Sequence, residues 1–120
     1  MRRKPGSLVP IEVAVLDAAI DLRRRGAPAF YGFLIAREIK ERAQARLLTA
    51  HGTLYKALDR MERGGLLESF WEDPNSAAAE RRPRRRFYRV TMVGEAALAQ
   101  ANTIAFRAGA GALRGKPAQS

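Results

Sequence analysis

A mostly α-helical fold carrying one small β-hairpin is what this sequence predicts. Apolar residues recur at helical spacing in three stretches before residue 65 and in one after residue 91. Only two short runs, near 66–72 and 85–91, read as strands. Glycine or proline falls at most of the joins. At 120 residues the chain suits one domain with a real core.

Residues 1–9 read as a flexible basic arm. Pro10 then suits a first helical position, where its fixed φ fits and its missing N–H costs nothing. Ile11, Val15, Ala18, Ala19 and Leu22 follow at helical spacing, and Val13, Leu16 and Ile20 widen the stripe. A stripe this wide suggests two neighbours, the domain's own core and another subunit. Basic Arg23, Arg24 and Arg25 suit the negative end of the helix dipole, and Gly26 is the expected stop.

A second helix is predicted from Phe33 to Gln44, with Leu34, Ile35 and Ile39 inward and Arg37, Lys40, Glu41 and Arg42 outward. Thr49 offers a cap for a third helix through HGTLYKALDRMER, which stops at Gly64–Gly65. On it Leu54, Leu58 and Met61 share one face, while Thr53, Lys56, Arg60 and Arg63 share the other.

LLESFWE at 66–72 predicts a strand, DPNSAAAERRP a loop, and RRFYRVT at 85–91 a second strand. A last helix is expected over 92–108, with Val93, Ala96, Ala97, Ala101, Ile104 and Ala105 as its apolar positions. Residues 109–120 read as a disordered tail. Three helices, a hairpin and a final helix give the outline of a winged helix-turn-helix spanning 10–91.

Charge points to the partner. The formal net charge is +10, from 22 basic and 12 acidic residues, which favours a polyanionic partner, most often nucleic acid and less often anionic lipid. RRPRRRFYR at 81–89 places six arginines in nine positions, at the tip and inner end of the wing. There the charge would meet a phosphate backbone and displace condensed counterions. There is no cysteine and one histidine, His51, so thiolate and multi-histidine metal sites are excluded. No run is apolar enough for a membrane span, and the N-terminal stretch does not suit a secretory signal. A cytoplasmic protein without cofactor or metal is expected.

GTLYKALDRMERGGLLES followed by RRRFYRVTMVGEAAL closely resembles the PadR-type family of bacterial transcriptional regulators, in its short form. Tyr31–Gly32 is similar to the family's start of the second helix, and the likeness covers roughly residues 10–100. The resemblance implies a winged helix whose third helix enters the DNA major groove, and a homodimer assembled through the first and last helices. It also implies repression lifted by a small-molecule effector, whose chemistry no residue here specifies. Carried over by position, Thr53, Tyr55, Lys56 and Arg60 would face DNA. Arg84, Arg85 and Arg86 would reach flanking phosphates, and His51 stands at the helix start as a structural residue or phosphate donor. Ala50–His51 occupies the place where many members carry a Ser–Pro-like cap.

Other chemistry is thin. Asp17 and Asp21 lie one turn apart but lack a histidine, cysteine or third acid, so ion pairing to Arg24 or Arg25 is expected in place of catalysis. Trp71, Phe70 and Phe87 read as core or wing packing. Competing readings are a basic RNA-binding protein without sequence preference and a protein-interaction winged helix.

Overall fold

A computed structural model of the chain describes residues 8–42 and 51–114. The element order is α1 (Pro10–Arg24), β1 (Phe30–Tyr31), α2 (Gly32–Glu41), α3 (His51–Arg63), β2 (Leu67–Trp71), α4 (Pro74–Ala79), β3 (Arg86–Val90) and α5 (Met92–Arg114). The fold is thus mostly helical around one small antiparallel sheet.

Pro10 opens α1, and the Glu12 carboxylate accepts the Val9 backbone N–H at 3.1 Å, satisfying one otherwise orphaned donor. The apolar stripe of α1 is buried from Ile11 to Leu22, with Val13 and Ile20 only partly covered. The helix stops where expected: Gly26 takes φ +101°, and the Ala27 N–H closes back to the Leu22 carbonyl at 2.8 Å. α3 ends in the same way. Gly65 takes φ +80° and Leu66 N–H reaches the Met61 carbonyl at 2.9 Å. The expected cap at Thr49 lies outside the described residues.

The sheet order is β1-β3-β2, all antiparallel, with Phe30 opposite Tyr88 and Trp71 opposite Arg86. β1 is an addition to the expected hairpin. Two residues carry no strand periodicity, and only pairing with the distant β3 makes them a strand. Phe30 stacks on Tyr88 with ring centroids 5.8 Å apart and is almost wholly buried.

The stretch after β2 is also not a plain loop. Asp73 caps α4 by accepting the Ser76 N–H at 3.2 Å, Pro74 sits in its first turn, and Ala77 is buried. After α4 the chain turns through Arg81 at φ +56°.

Thr91 joins the wing to α5. Its hydroxyl donates to the Gly65 carbonyl at 2.5 Å and accepts the Gly94 N–H at 3.0 Å. Among the α5 residues whose side chains are described, Gly94 and Leu98 are buried, whereas Val93 and Ile104, expected inward, are exposed. The helix continues to Arg114, past the end expected at 108.

α1 lies at the centre, packed against α2, α3, β3 and α5. Leu16, Phe30, Ile35, Ile39, Leu58, Met61 and Leu67 are among the largest fully buried side chains of the core. Ion pairs fasten the helix ends around α1: Arg25 to Glu38 at 2.6 Å, Arg42 to Asp21 at 2.8 Å and Arg23 to Glu95 at 3.1 Å. Asp21 also pairs with Arg25 at 3.0 Å, as its spacing suggested.

Candidate nucleic-acid interface

α3 buries Leu54, Ala57, Leu58 and Met61 and turns its other side outward. By helical period the residues farthest from that buried set are Lys56, Asp59 and Arg63. Lys56 is exposed and makes no ion pair among the described residues. Arg63 pairs with Asp59 at 2.7 Å but stays largely in solvent.

Two residues flank this line. Tyr55 is half exposed and lies against the start of α2, so that a Cβ at Gly32 would sit 2.5 Å from its ring. Arg60 leans the other way, toward α1. Its Nε donates to Glu12 at 2.8 Å, and Glu12 is fully buried while Arg60 remains partly exposed. Thr53 is partly buried beside Arg60 by helical period. His51 opens α3, and its side chain lies outside the described residues.

The arginine run divides three ways. Arg82 turns into the wing tip. It holds Glu72 through both terminal nitrogens, at 2.6 and 2.8 Å, and Glu80 through Nε at 2.8 Å. These bonds to Arg82 are the largest cause that holds the Glu72 carboxyl at about 2, with the Arg85 N–H adding to it. Arg82 is correspondingly pushed up. Its charge is internal to the tip.

Arg84 and Arg86 lie on the side of the sheet that faces α3. Their guanidiniums sit 5.5 and 5.6 Å from the ring centre of Trp71, which is half exposed. Arg86 also donates to Ser69 at 2.8 Å and to Glu62 of α3 at 3.2 Å. The Ser69 hydroxyl donates to the same Glu62 carboxylate at 2.5 Å and is the largest cause of its lowered pKa, with Arg86 adding to the effect. Glu62 therefore clamps the inner end of the wing to the recognition-type helix.

Arg85 and Arg89 occupy the opposite face. Cross-strand neighbours share a face, so Tyr31, Phe87 and Phe70 form an aromatic row there, with centroids 5.4 and 5.8 Å apart. Arg85 lies 4.1 Å above Tyr31, and Arg89 lies 4.9 Å above Phe70 while pairing with Glu68 at 2.6 Å. Such stacking stabilises by about 0.5–1 kcal/mol at exposed sites and keeps aromatic surface from water. The sequence placed Arg84, Arg85 and Arg86 in one group; the pleat separates the middle one from the other two.

An exposed helix face beside a basic hairpin, with α1 and α2 behind, is the geometry of a winged helix-turn-helix. The model of the transcriptional regulator PadR-like family matches residues 26–100 of this chain. The chain belongs to that family. It is a DNA-binding transcriptional regulator of the PadR-like type. Among the described residues no group of three or more histidines, cysteines, aspartates and glutamates could hold a metal ion, and no helix is long and apolar enough to cross a membrane.

Solved PadR-like proteins share the fold. A PadR family transcription regulator from Clostridium difficile R20291 is 24% identical with a TM-score of 0.64, covering 87% of this chain and 94% of that one. A PadR-like transcription factor from Bacteroides fragilis is 23% identical, with a TM-score of 0.65 and 87% of each chain covered. A PadR family regulator from Eggerthella lenta is 25% identical, with a TM-score of 0.57, covering 85% of this chain and 81% of that one. An uncharacterized protein of Lysinibacillus sphaericus is 29% identical over 70 residues, and the match spans 58% of this chain and 60% of that curated relative.

The residues that carry the PadR-like likeness have physical roles here. Gly32 gives Tyr55 its place against α2. Gly94 lets α5 start against the turn, since a Cβ there would run into the Leu66 carbonyl oxygen and approach Val90 to 2.9 Å. Sequence reasoning missed Glu12, Glu62 and Glu72 as organisers of this surface, and it read Trp71 as packing without its arginine partners. For Glu12 a signal was present, an acid at the third helical position after a proline start.

Proposed function

We propose that the regulator binds duplex DNA as a homodimer, with α3 in the major groove and the α3-facing side of the wing on the flanking backbone. The observation that supports this best is the Glu62 clamp, which sets Arg86, and with it Trp71 and Arg84, alongside the exposed line of α3. Lys56 and Arg63 meet the groove first, flanked by Thr53, Tyr55 and Arg60, with His51 at the phosphate-facing helix start. Arg84 and Arg86 meet phosphates. Arg85, stacked on Tyr31 on the far face, is left out of this contact set.

Dimerisation is assigned to α5 with α1. Met92, Val93, Ile104 and Phe106 leave a set of large apolar side chains exposed on α5, and Val13 and Ile20 are partly open on α1. A two-fold dimer would place its recognition helices about 34 Å apart, in successive major grooves of a pseudo-palindromic operator. Repression, its release by a small-molecule effector and action at the nucleoid in the cytoplasm rest on the family likeness.

Footprinting the upstream region of its own gene, with competitor DNA present, tests the assignment. A protected stretch covering two half-sites is the expected result. Uniform protection that vanishes with competitor would overturn it and favour a basic protein without an operator.

A further inference from the structure

We propose that Glu12 is a specificity-determining positioning residue: from inside the core it fixes the Arg60 guanidinium through Nε and so sets the direction in which the terminal amino groups meet a base edge. This rests on the DNA-binding reading above.

The geometry has three parts. First, the carboxylate is itself pinned, because Oε1 accepts the Val9 N–H at 3.1 Å at the start of α1 and the residue is fully buried. Second, the bond to Arg60 runs from Nε to Oε2 at 2.8 Å, and no bond from either terminal nitrogen to another described residue accompanies it. Third, the Arg60 side chain is 42% exposed, although one of its donors is held by a group with no exposure at all.

A guanidinium is a rigid planar fork, so fixing one nitrogen and its direction fixes the other two. An arginine free to rotate would have to be ordered when DNA binds; this one is ordered beforehand by a carboxylate that DNA cannot reach. Arginine reads guanine through two parallel bonds to O6 and N7, which two terminal nitrogens can supply while Nε stays with Glu12. The same carboxylate starts α1, so the fork is referred to the central helix of the domain and not only to α3.

The test uses the full chain and two duplexes: a site that the wild-type protein selects from a random pool, and a random duplex of equal length. The variants are Glu12→Gln, Arg60→Ala, Arg60→Lys and the double variant Glu12→Gln/Arg60→Ala, each checked for folding by circular dichroism and assayed below its unfolding transition. Glu12→Gln keeps an acceptor for the Val9 N–H and is the variant expected to fold. The preference for selected over random duplex should fall about tenfold or more in Glu12→Gln and in Arg60→Ala. The double variant should lose no more than Arg60→Ala alone. Arg60→Lys should fold but fail to restore the preference, because an ammonium has no fork.

An unchanged preference in Glu12→Gln beside a lost one in Arg60→Ala would overturn the proposal, since Arg60 would then read DNA without Glu12. An unchanged preference in both would overturn it by reducing the pair to a structural strut. If the wild-type protein selects no sequence at all, the DNA-binding reading itself fails.

Discussion

Arg60 on α3 reaches past its own helix to Glu12 on α1, Nε to Oε2 at 2.8 Å, and Glu12 is closed off from solvent. The bond joins residues 48 positions apart and ties the recognition-type helix to the centre of the fold. Arg60→Ala removes one counter-charge from this buried carboxylate, and Glu12→Gln removes the charge that Arg60 faces. Arg60→Ala should lower stability by about 2 kcal/mol, less than the loss of a fully buried pair because Arg60 is partly hydrated. Glu12→Gln, which keeps an acceptor, should cost less. Urea unfolding midpoints check the order, and an unchanged midpoint in Arg60→Ala would show that the carboxylate does not depend on Arg60.

Gly32 and Tyr55 are coupled by contact. A methyl group at position 32 would sit 2.5 Å from the Tyr55 ring, so Gly32→Ala should cost about 1–3 kcal/mol. Because the obstacle is a side chain, adding Tyr55→Ala should recover most of that loss, with a coupling of about 1 kcal/mol in a double-mutant cycle. Gly94→Ala should behave differently. Its obstacle is the Leu66 carbonyl, which is backbone, so trimming the nearby Val90 should not rescue it.

The wing tip should loosen in acid. Glu72 is held at about 2 by Arg82, below its ordinary value of 4.5. A depressed carboxylate stabilises the folded form above its ordinary pKa, and that contribution is lost as pH falls from 4.5 toward about 2. Trp71, one residue away and half exposed, should report the loss by fluorescence. Glu72→Gln should flatten the response in this window. A variant that titrates like the wild type would show that another carboxylate governs the tip.

Much of this fold was legible because its signals are local. Gly26 and Gly64–Gly65 stop helices by backbone conformation alone, and Pro10 starts one, so no distant residue is needed to read them. α4 was also legible in principle, since Asp73–Pro74 is a cap followed by a first-turn proline, but the same residues serve turns and the turn reading prevailed. β1 was not legible: two residues have no period, and its existence depends on β3.

The site was harder to read than the fold. Six arginines in one run look alike in sequence, yet Glu72 takes Arg82, Glu62 takes Arg86, and Tyr31 takes Arg85. Those partners lie elsewhere in the chain, on β1, on α3 and just after β2. Alternation along β3 separates the neighbours Arg85 and Arg86 onto opposite faces, and that separation could be foreseen only once the register was known.

The salt dependence of duplex binding in Arg84→Ala and Lys56→Ala, set beside Arg82→Gln, tests the central claim most directly. Each lost phosphate contact lowers the slope of log affinity against log salt by about 0.9. Arg84→Ala should lower the slope by about that amount. Lys56→Ala should weaken binding as well, with a similar change in slope if its contact is to phosphate and none if it is to a base. Arg82→Gln, which removes the same unit of charge from inside the tip, should leave the slope as in the wild type. Equal slopes for Arg84→Ala and Arg82→Gln would contradict the account, because charge alone, and not its placement beside α3, would then govern binding.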